Sequence, residues 1–252
     1  MPHRETTKPF VFFFLVLPYG ISSGFISITL PFVLTRAGFS VATAASIVAI
    51  GASANLWRFL WGPVADLTLT ARRWYLTGLS AAALTLFLLG LFPLNTNTTA
   101  MLVAIVFVSQ VASTFIVLPV GGLMAHTVAE EAKGRAAGWY QAGNLGGTGI
   151  GGGAGVWLAS HYSKEIAGEF LSLAMLAAAL ALFFVSDVRL VTTETIRQRL
   201  RLLGRDIFSM LRSPIPLFTI VLIMVPIGAT FGPLLDLTGA PTQTPSPLSQ
   251  AF

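Results

Sequence analysis

The stretch Leu60-Trp61-Gly62-Pro63-Val64-Ala65-Asp66-Leu67-Thr68-Leu69-Thr70-Ala71-Arg72-Arg73 decides how the rest of the chain is read. It carries Asp66, Arg72 and Arg73 within eight residues and lies between two long apolar runs. A tight basic turn between two membrane spans faces the cytoplasm, because cytoplasmic loops collect Lys and Arg. Every other apolar run can be oriented from it.

Outward from that turn, 54% of the 252 residues are hydrophobic and only 10% are charged. A soluble domain carries about 25% charged residues, so a water-soluble fold is excluded. The apolar residues fall into runs of about 20, the length that crosses roughly 30 Å of hydrocarbon at 1.5 Å per residue. Lipid offers no partner to a stray backbone group, so the runs must span as helices. The net charge of +5 then reads as loop bias, and nucleic acid is not an expected partner. With no cysteine, disulfides, iron–sulfur clusters and thiol nucleophiles are excluded. The apolar run after Lys8 is longer than a signal-peptide core and lacks a small-residue cleavage site, so it is expected to remain as the first helix.

The pattern predicts seven spans, near residues 10–34, 41–64, 74–94, 98–128, 136–160, 170–188 and 215–235. With the N-terminus inside, Arg4, Lys8, Arg72, Arg73, Lys133, Arg135, Arg189, Arg197, Arg199, Arg201, Arg205 and Arg212 fall on the cytoplasmic side. Only Arg36 and Lys164 fall outside, and Arg58 lies within the second span near its inner end. The asymmetry places the N-terminus in the cytoplasm of a multi-pass protein of the inner (plasma) membrane. Between the sixth and seventh spans, Ile196, Leu200, Leu203, Ile207 and Leu211 recur at helical spacing opposite Arg197, Arg201 and Arg205. That pattern suits a helix lying on the inner membrane surface; the alternative is a solvated basic loop. The expected organisation is a six-helix bundle over 1–188, a cytoplasmic amphipathic linker over 189–213, and over 214–252 the start of a second bundle with a Pro-, Thr- and Ser-rich disordered tail.

Gly62-Pro63-Val64-Ala65-Asp66 with Arg72-Arg73 resembles the loop signature of the major facilitator superfamily, a Gly, an apolar residue, a small residue and Asp followed by basic residues. Glu130-Glu131-Ala132-Lys133-Gly134-Arg135-Ala136-Ala137-Gly138 resembles the acidic-then-Gly-Arg pattern which that family carries between its fourth and fifth helices. Arg58-Phe59-Leu60-Trp61-Gly62-Pro63 is most similar to the muropeptide-permease and acetyl-coenzyme-A transporter branch. Leu67 and Leu69 depart from the family pattern, which has a basic residue directly after the Asp and a Gly two positions later. The resemblance implies an all-α polytopic fold, a six-helix bundle plus a seventh helix, and transport of a small solute by alternating access. Since the family folds as twelve helices, the chain is expected to be a truncated member or one half of a split transporter, completed by a missing C-terminal half or a second copy. The rival expectation is a non-transporting scaffold or gene remnant.

Gly62, Asp66, Arg72, Arg73, Glu130, Glu131 and Arg135 are candidates for a cytoplasmic gate. Asp66 near lipid is costly unless it meets Arg72, Arg73, Arg135 or a helix N-terminus. A charge cluster of that kind closes one conformation and breaks in the other; alternatively these charges only anchor loops. Gly143, Gly147, Gly151 and Gly155 repeat at a strict interval of four and line one helix face for close packing or sliding. Tyr19, Ser22, Ser23, Ser53, Asn55, Gln110, Ser113, Gln141 and Asn144 are the polar residues at membrane depth on spans one, two, four and five, the spans that line the central cavity in the family. They are candidate cavity residues, although single Ser, Thr and Asn side chains also bond to their own helix.

All ten acids lie at or near span ends, so no embedded carboxylate offers a proton-coupling site. His3, His126 and His161 are scattered, and no nucleophile–base pair or metal-ligand cluster is legible. The expected protein is therefore not an enzyme and takes no cofactor or metal; its partners are the lipid bilayer and a small-molecule substrate.

Overall fold

A computed structural model of the chain describes residues 7–58 and 69–185, together with Arg201 and Arg205. Two compact units divide it, Met1–Ile196 and Arg197–Phe252. In the second, Arg201 and Arg205 are helical and exposed. The Asp66 loop, the seventh predicted span and the tail lie outside the described residues.

The first unit is all helical among the described residues. We label its spans α1 (Val11–Arg36), α2 (Val41–Ser53), α3 (Ala71–Leu91), α4 (Thr99–Thr127), α5 (133–161) and α6 (Lys164–Phe184). Four of these, α1, α3, α4 and α6, have the length and hydropathy to cross a membrane. The described part of α2 is shorter and continues into a tight turn over Ala54–Trp57. α5 is long, but its glycines, Gln141 and Asn144 dilute its apolar character.

Side-chain caps set several boundaries. Ser40 accepts the Thr43 N–H to open α2, Thr70 accepts the Arg73 N–H to open α3, and Ser163 accepts the Ile166 N–H to open α6. The last cap explains why α6 begins six residues earlier than hydropathy predicts: Lys164, Glu165 and Glu169 ride on its first turns. Gly38, at φ +91°, closes α1 in the left-handed backbone that glycine adopts without strain. Pro119 sits inside an unbroken α4.

Pro31 acts differently. Lacking an N–H, it cannot bond back along α1, and over Phe25–Thr29 the ladder widens so that the Leu30 N–H meets the Phe25 carbonyl. A second widened turn spans Ile150–Ala154 in α5, where the Gly155 N–H reaches the Ile150 carbonyl. The two turns touch.

Odd-numbered helices run parallel and even-numbered ones return. Phe13, Leu17 and Ile21 of α1 ascend beside Gly143, Gly147 and Gly151 of α5, and the Tyr75 hydroxyl of α3 donates to the Leu15 carbonyl at 2.9 Å. Ser113 of α4 descends past Ser22, while Gly168 of α6 lies against Gly90 of α3. One end of the bundle thus gathers the Thr7–Thr127 backbone bond (3.0 Å), Arg72 over the Phe183 ring at 5.6 Å, and the start of α5. Lys8, Arg72, Arg73, Lys133 and Arg135 occupy this basic end, and Arg36 and Lys164 the opposite, far end.

Phe12, Leu15, Ile21, Leu34, Tyr75, Leu86, Ile116 and Leu171 form the buried core. Phe170, Leu173, Leu180 and Phe183 of α6 are instead 56–75% exposed. A belt of that size facing outward suits lipid and not water. At the far end Trp157 stacks on His161 and meets Tyr162 edge-on, the position of an interfacial aromatic girdle. The chain is a multi-pass, all-helical membrane protein.

Candidate functional site

The tightest contact in the bundle joins α1 to α5. A Cβ at Gly143, Gly147 or Gly151 would run into the carbonyls of Phe13, Leu17 and Ile21, and one at Gly155 into the Thr29 hydroxyl. The reciprocal face of α1 carries Gly20 and Gly24, whose Cβ atoms would strike the carbonyls of Asn144 and Thr148. Without a hydrophobic push between helices in lipid, such backbone-to-backbone approach is what holds them. Thr29 adds a polar tie, its hydroxyl lying 2.8 Å from the Gly151 carbonyl and 3.1 Å from that of Gly152. Those carbonyls belong to the widened turn, where the helix's own ladder is loosened.

The polar residues of α1, α2, α4 and α5 lie in different surroundings. The Ser113 hydroxyl donates to Ser22 Oγ (3.0 Å) and stands 2.9 Å from the Ser109 carbonyl. Both serines are fully buried and serve the α1–α4 contact. Gln110 is buried against Gly51 of α2, its Nε2 without a hydrogen-bond partner, and Ser109 Oγ is likewise unmatched. Ser53 bonds back to Ile50. Ser23 and Asn144 are half-buried, and Gln141 is exposed beside Ala142.

Tyr19 and Asn55 meet around a third residue. Arg58, in the turn that follows α2, donates from Nη2 to the Tyr19 hydroxyl at 3.1 Å and to Asn55 Oδ1 at 2.9 Å. Its guanidinium lies 5.5 Å from the centre of the Tyr19 ring, a cation–π distance. Tyr140 of α5 stands within electrostatic reach of both Arg58 and Tyr19. Arg58 Nε is buried and has no partner among the described residues. Sequence reading placed Arg58 near the inner end of a span but gave it no part in the site, and it passed over Tyr140; the signal was an arginine inside a span, which is expensive unless used.

Of the gate candidates, Gly62 and Asp66 lie outside the described residues. Arg72 packs on Phe183, and the Arg73 N–H is held by Thr70. Glu130 pairs with Lys133 of the same turn at 2.7 Å; Glu131 and Arg135 are exposed on that end. At the far end, the Lys164 ammonium donates to the carbonyls of Gly90 (2.6 Å) and Phe92 (3.0 Å) and pairs with Glu165 at 2.9 Å. A cation there satisfies the last carbonyls of α3 and its negative dipole end. Gly90 and Gly168 touch beside it; two isolated glycines gave no periodic signal in the sequence.

No curated protein matches the chain. A family model described as Major Facilitator Superfamily matches residues 12–247, which takes in every described helix and continues past the seventh predicted span. That match agrees with the parallel odd helices, the lipid-facing belt and the concentration of basic residues at one end. The chain belongs to the Major Facilitator Superfamily.

Proposed function

We propose that the chain moves a small solute across the plasma membrane by alternating access, with its basic end and N-terminus in the cytoplasm. The observation that carries this reading is the family match over residues 12–247. The polar side chains that α1, α2, α4 and α5 hold at membrane depth support it, with Tyr19, Asn55, Gln110, Gln141 and Asn144 as the cavity residues. Ser22 and Ser113 bind α1 to α4 and take a structural part. The cavity is completed by a facing bundle, either a C-terminal half or a second copy. Arg72, Arg73, Glu130, Glu131 and Arg135, with Gly62 and Asp66, form the cytoplasmic gate. The Arg58–Pro63 stretch favours the muropeptide-permease and acetyl-coenzyme-A transporter branch, hence an amphipathic sugar–peptide or coenzyme-A-type solute.

The test is solute profiling of cells expressing the chain. Expression should change the cellular content of one solute or a related few, and Gln141→Ala and Asn144→Ala should cancel the change at equal membrane abundance. An unchanged profile would reject transport through a cavity completed by a second copy of the chain.

A further inference from the structure

We propose that Arg58, Tyr19 and Tyr140 form a binding site for an anionic group, a carboxylate or phosphate, on the transported solute. The inference deepens the transport reading and rests on it for the source of the ligand.

A guanidinium carries five N–H donors and no acceptor. Among the described residues, both side-chain bonds of Arg58 leave from Nη2, and Nε is buried and unmatched. Tyr19 accepts from Arg58 through its hydroxyl oxygen, so its own proton is left to donate. Asn55 is engaged at both ends: Oδ1 accepts from Arg58 while Nδ2 donates to the Ala52 carbonyl at 3.3 Å. Tyr140 of α5 stands within electrostatic reach of Arg58 and Tyr19. The unused hydrogen-bonding capacity at this point is therefore rich in donors and carries a full positive charge.

Location strengthens the case. Tyr19 lies inside the apolar span Val11–Arg36, and a charge held against it without a counter-ion is costly. Among the described residues no carboxylate lies within salt-bridge distance of Arg58. Residues from α1, from the turn after α2 and from α5 converge there, so an anion seated on them would tie three helices together. A cation would meet repulsion, and a neutral solute would leave the charge uncompensated. An arginine present only to fasten α2 to α1 would not need a second hydroxyl near it.

The experiment uses the full chain in phosphatidylcholine nanodiscs, titrated with benzoate, phenyl phosphate, benzamide and benzylamine and followed by tryptophan fluorescence. Benzoate or phenyl phosphate should bind roughly tenfold or more tightly than benzamide and benzylamine, as a charge-assisted contact requires. Arg58→Gln should remove that preference. Tyr19→Phe and Tyr140→Phe, which keep the ring, should each weaken the anion about threefold without lowering the melting temperature, and they hold the proposal testable if Arg58→Gln fails to fold. Equal binding of all four probes, or an Arg58→Gln variant with undiminished anion affinity, would overturn the proposal. So would binding that appears only after Asp66→Asn, since Arg58 would then already be paired within the chain. Replacing part of the phosphatidylcholine by phosphatidylglycerol should leave benzoate affinity unchanged; competition would assign the site to a lipid headgroup and overturn it as a solute site. Selective anion binding with no solute change in cells would reject transport and keep the site, whereas transport without anion selectivity would reject the site and keep transport.

Discussion

Thr29 of α1 reaches across the helix interface to the Gly151 carbonyl of α5, 2.8 Å away, at the level where the ladders of both helices widen. The Thr29 side chain is fully buried and its second acceptor, the Gly152 carbonyl, is 3.1 Å distant. One hydroxyl thus lies within hydrogen-bonding distance of two carbonyls of the widened turn. Thr29→Val keeps the shape and deletes the proton, so it should destabilise the bundle by about 0.6–1.7 kcal/mol, the range for interhelical bonds in membranes. Thr29→Ser should retain most of the stability. Thermal unfolding in detergent, followed by circular dichroism, separates the two; equal loss in both variants would mean the bond contributes nothing.

The glycines of α5 divide into two faces with opposite expectations. A Cβ at Gly147 would lie 2.9 Å from Gly20 Cα and nearer still to the Leu17 carbonyl, whereas one at Gly153 would meet nothing within 4 Å. Gly147→Ala must push α1 and α5 apart, and overpacking of that kind costs about 1–3 kcal/mol. Gly153→Ala should be neutral or stabilising by up to about 1 kcal/mol, since alanine is the better helix former. Paired melting curves check the contrast, and a similar loss in both variants would refute the close α1–α5 contact.

Lys164 closes the far end of α3. Lys164→Met removes the donor that serves the Gly90 and Phe92 carbonyls, and hydrogen bonds to charged groups stabilise by about 1.5–3 kcal/mol. The lysine side chain is 22% exposed, so water recovers part of this and the expected loss is about 1–2 kcal/mol. Proteolysis should report it first, as faster cleavage within residues 92–98, with the basic end unaffected. Cleavage at an unchanged rate would show that the contact does not hold the turn.

How much of this was legible follows from how far each signal repeats. Span number and alternation depend on runs of some twenty apolar residues, a long-range pattern that one polar side chain cannot erase. The interval of four from Gly143 to Gly155 can be read as a helix face, but nothing in it names α1 as the opposing helix. Gly20, Gly24, Gly90 and Gly168 are single small residues whose purpose exists only in the partner's backbone. The widened turns depend on Pro31 and on the Thr29 hydroxyl supplied across the interface, so local propensity does not announce them. The start of α6 was misplaced because hydropathy counts Lys164 and Glu165 as loop, while the Ser163 cap draws them into the helix. Arg58 was visible as an embedded charge. Its role was hidden because Tyr19 and Tyr140 lie 39 and 82 residues away along the chain.

The parallel course of α1, α3 and α5 fixes which turns share a side of the membrane, and the chain's lack of cysteine makes that directly measurable. Single-cysteine variants Arg73→Cys and Glu131→Cys sit at the basic end; Gly38→Cys, Asn97→Cys and Tyr162→Cys sit at the far end, and all five positions are exposed. A membrane-impermeant maleimide added to intact cells should label the second group and spare the first, and permeabilisation should expose the first. Labelling is expected to differ by roughly tenfold or more between the groups, because a charged reagent does not cross the hydrocarbon core on the timescale of the reaction. The pattern tests two statements separately. If both groups invert together, the bundle stands and only the cytoplasmic assignment of the basic end falls. If Arg73→Cys and Glu131→Cys label from opposite sides, α3 and α5 cannot both run parallel to α1, and the helix order itself is wrong.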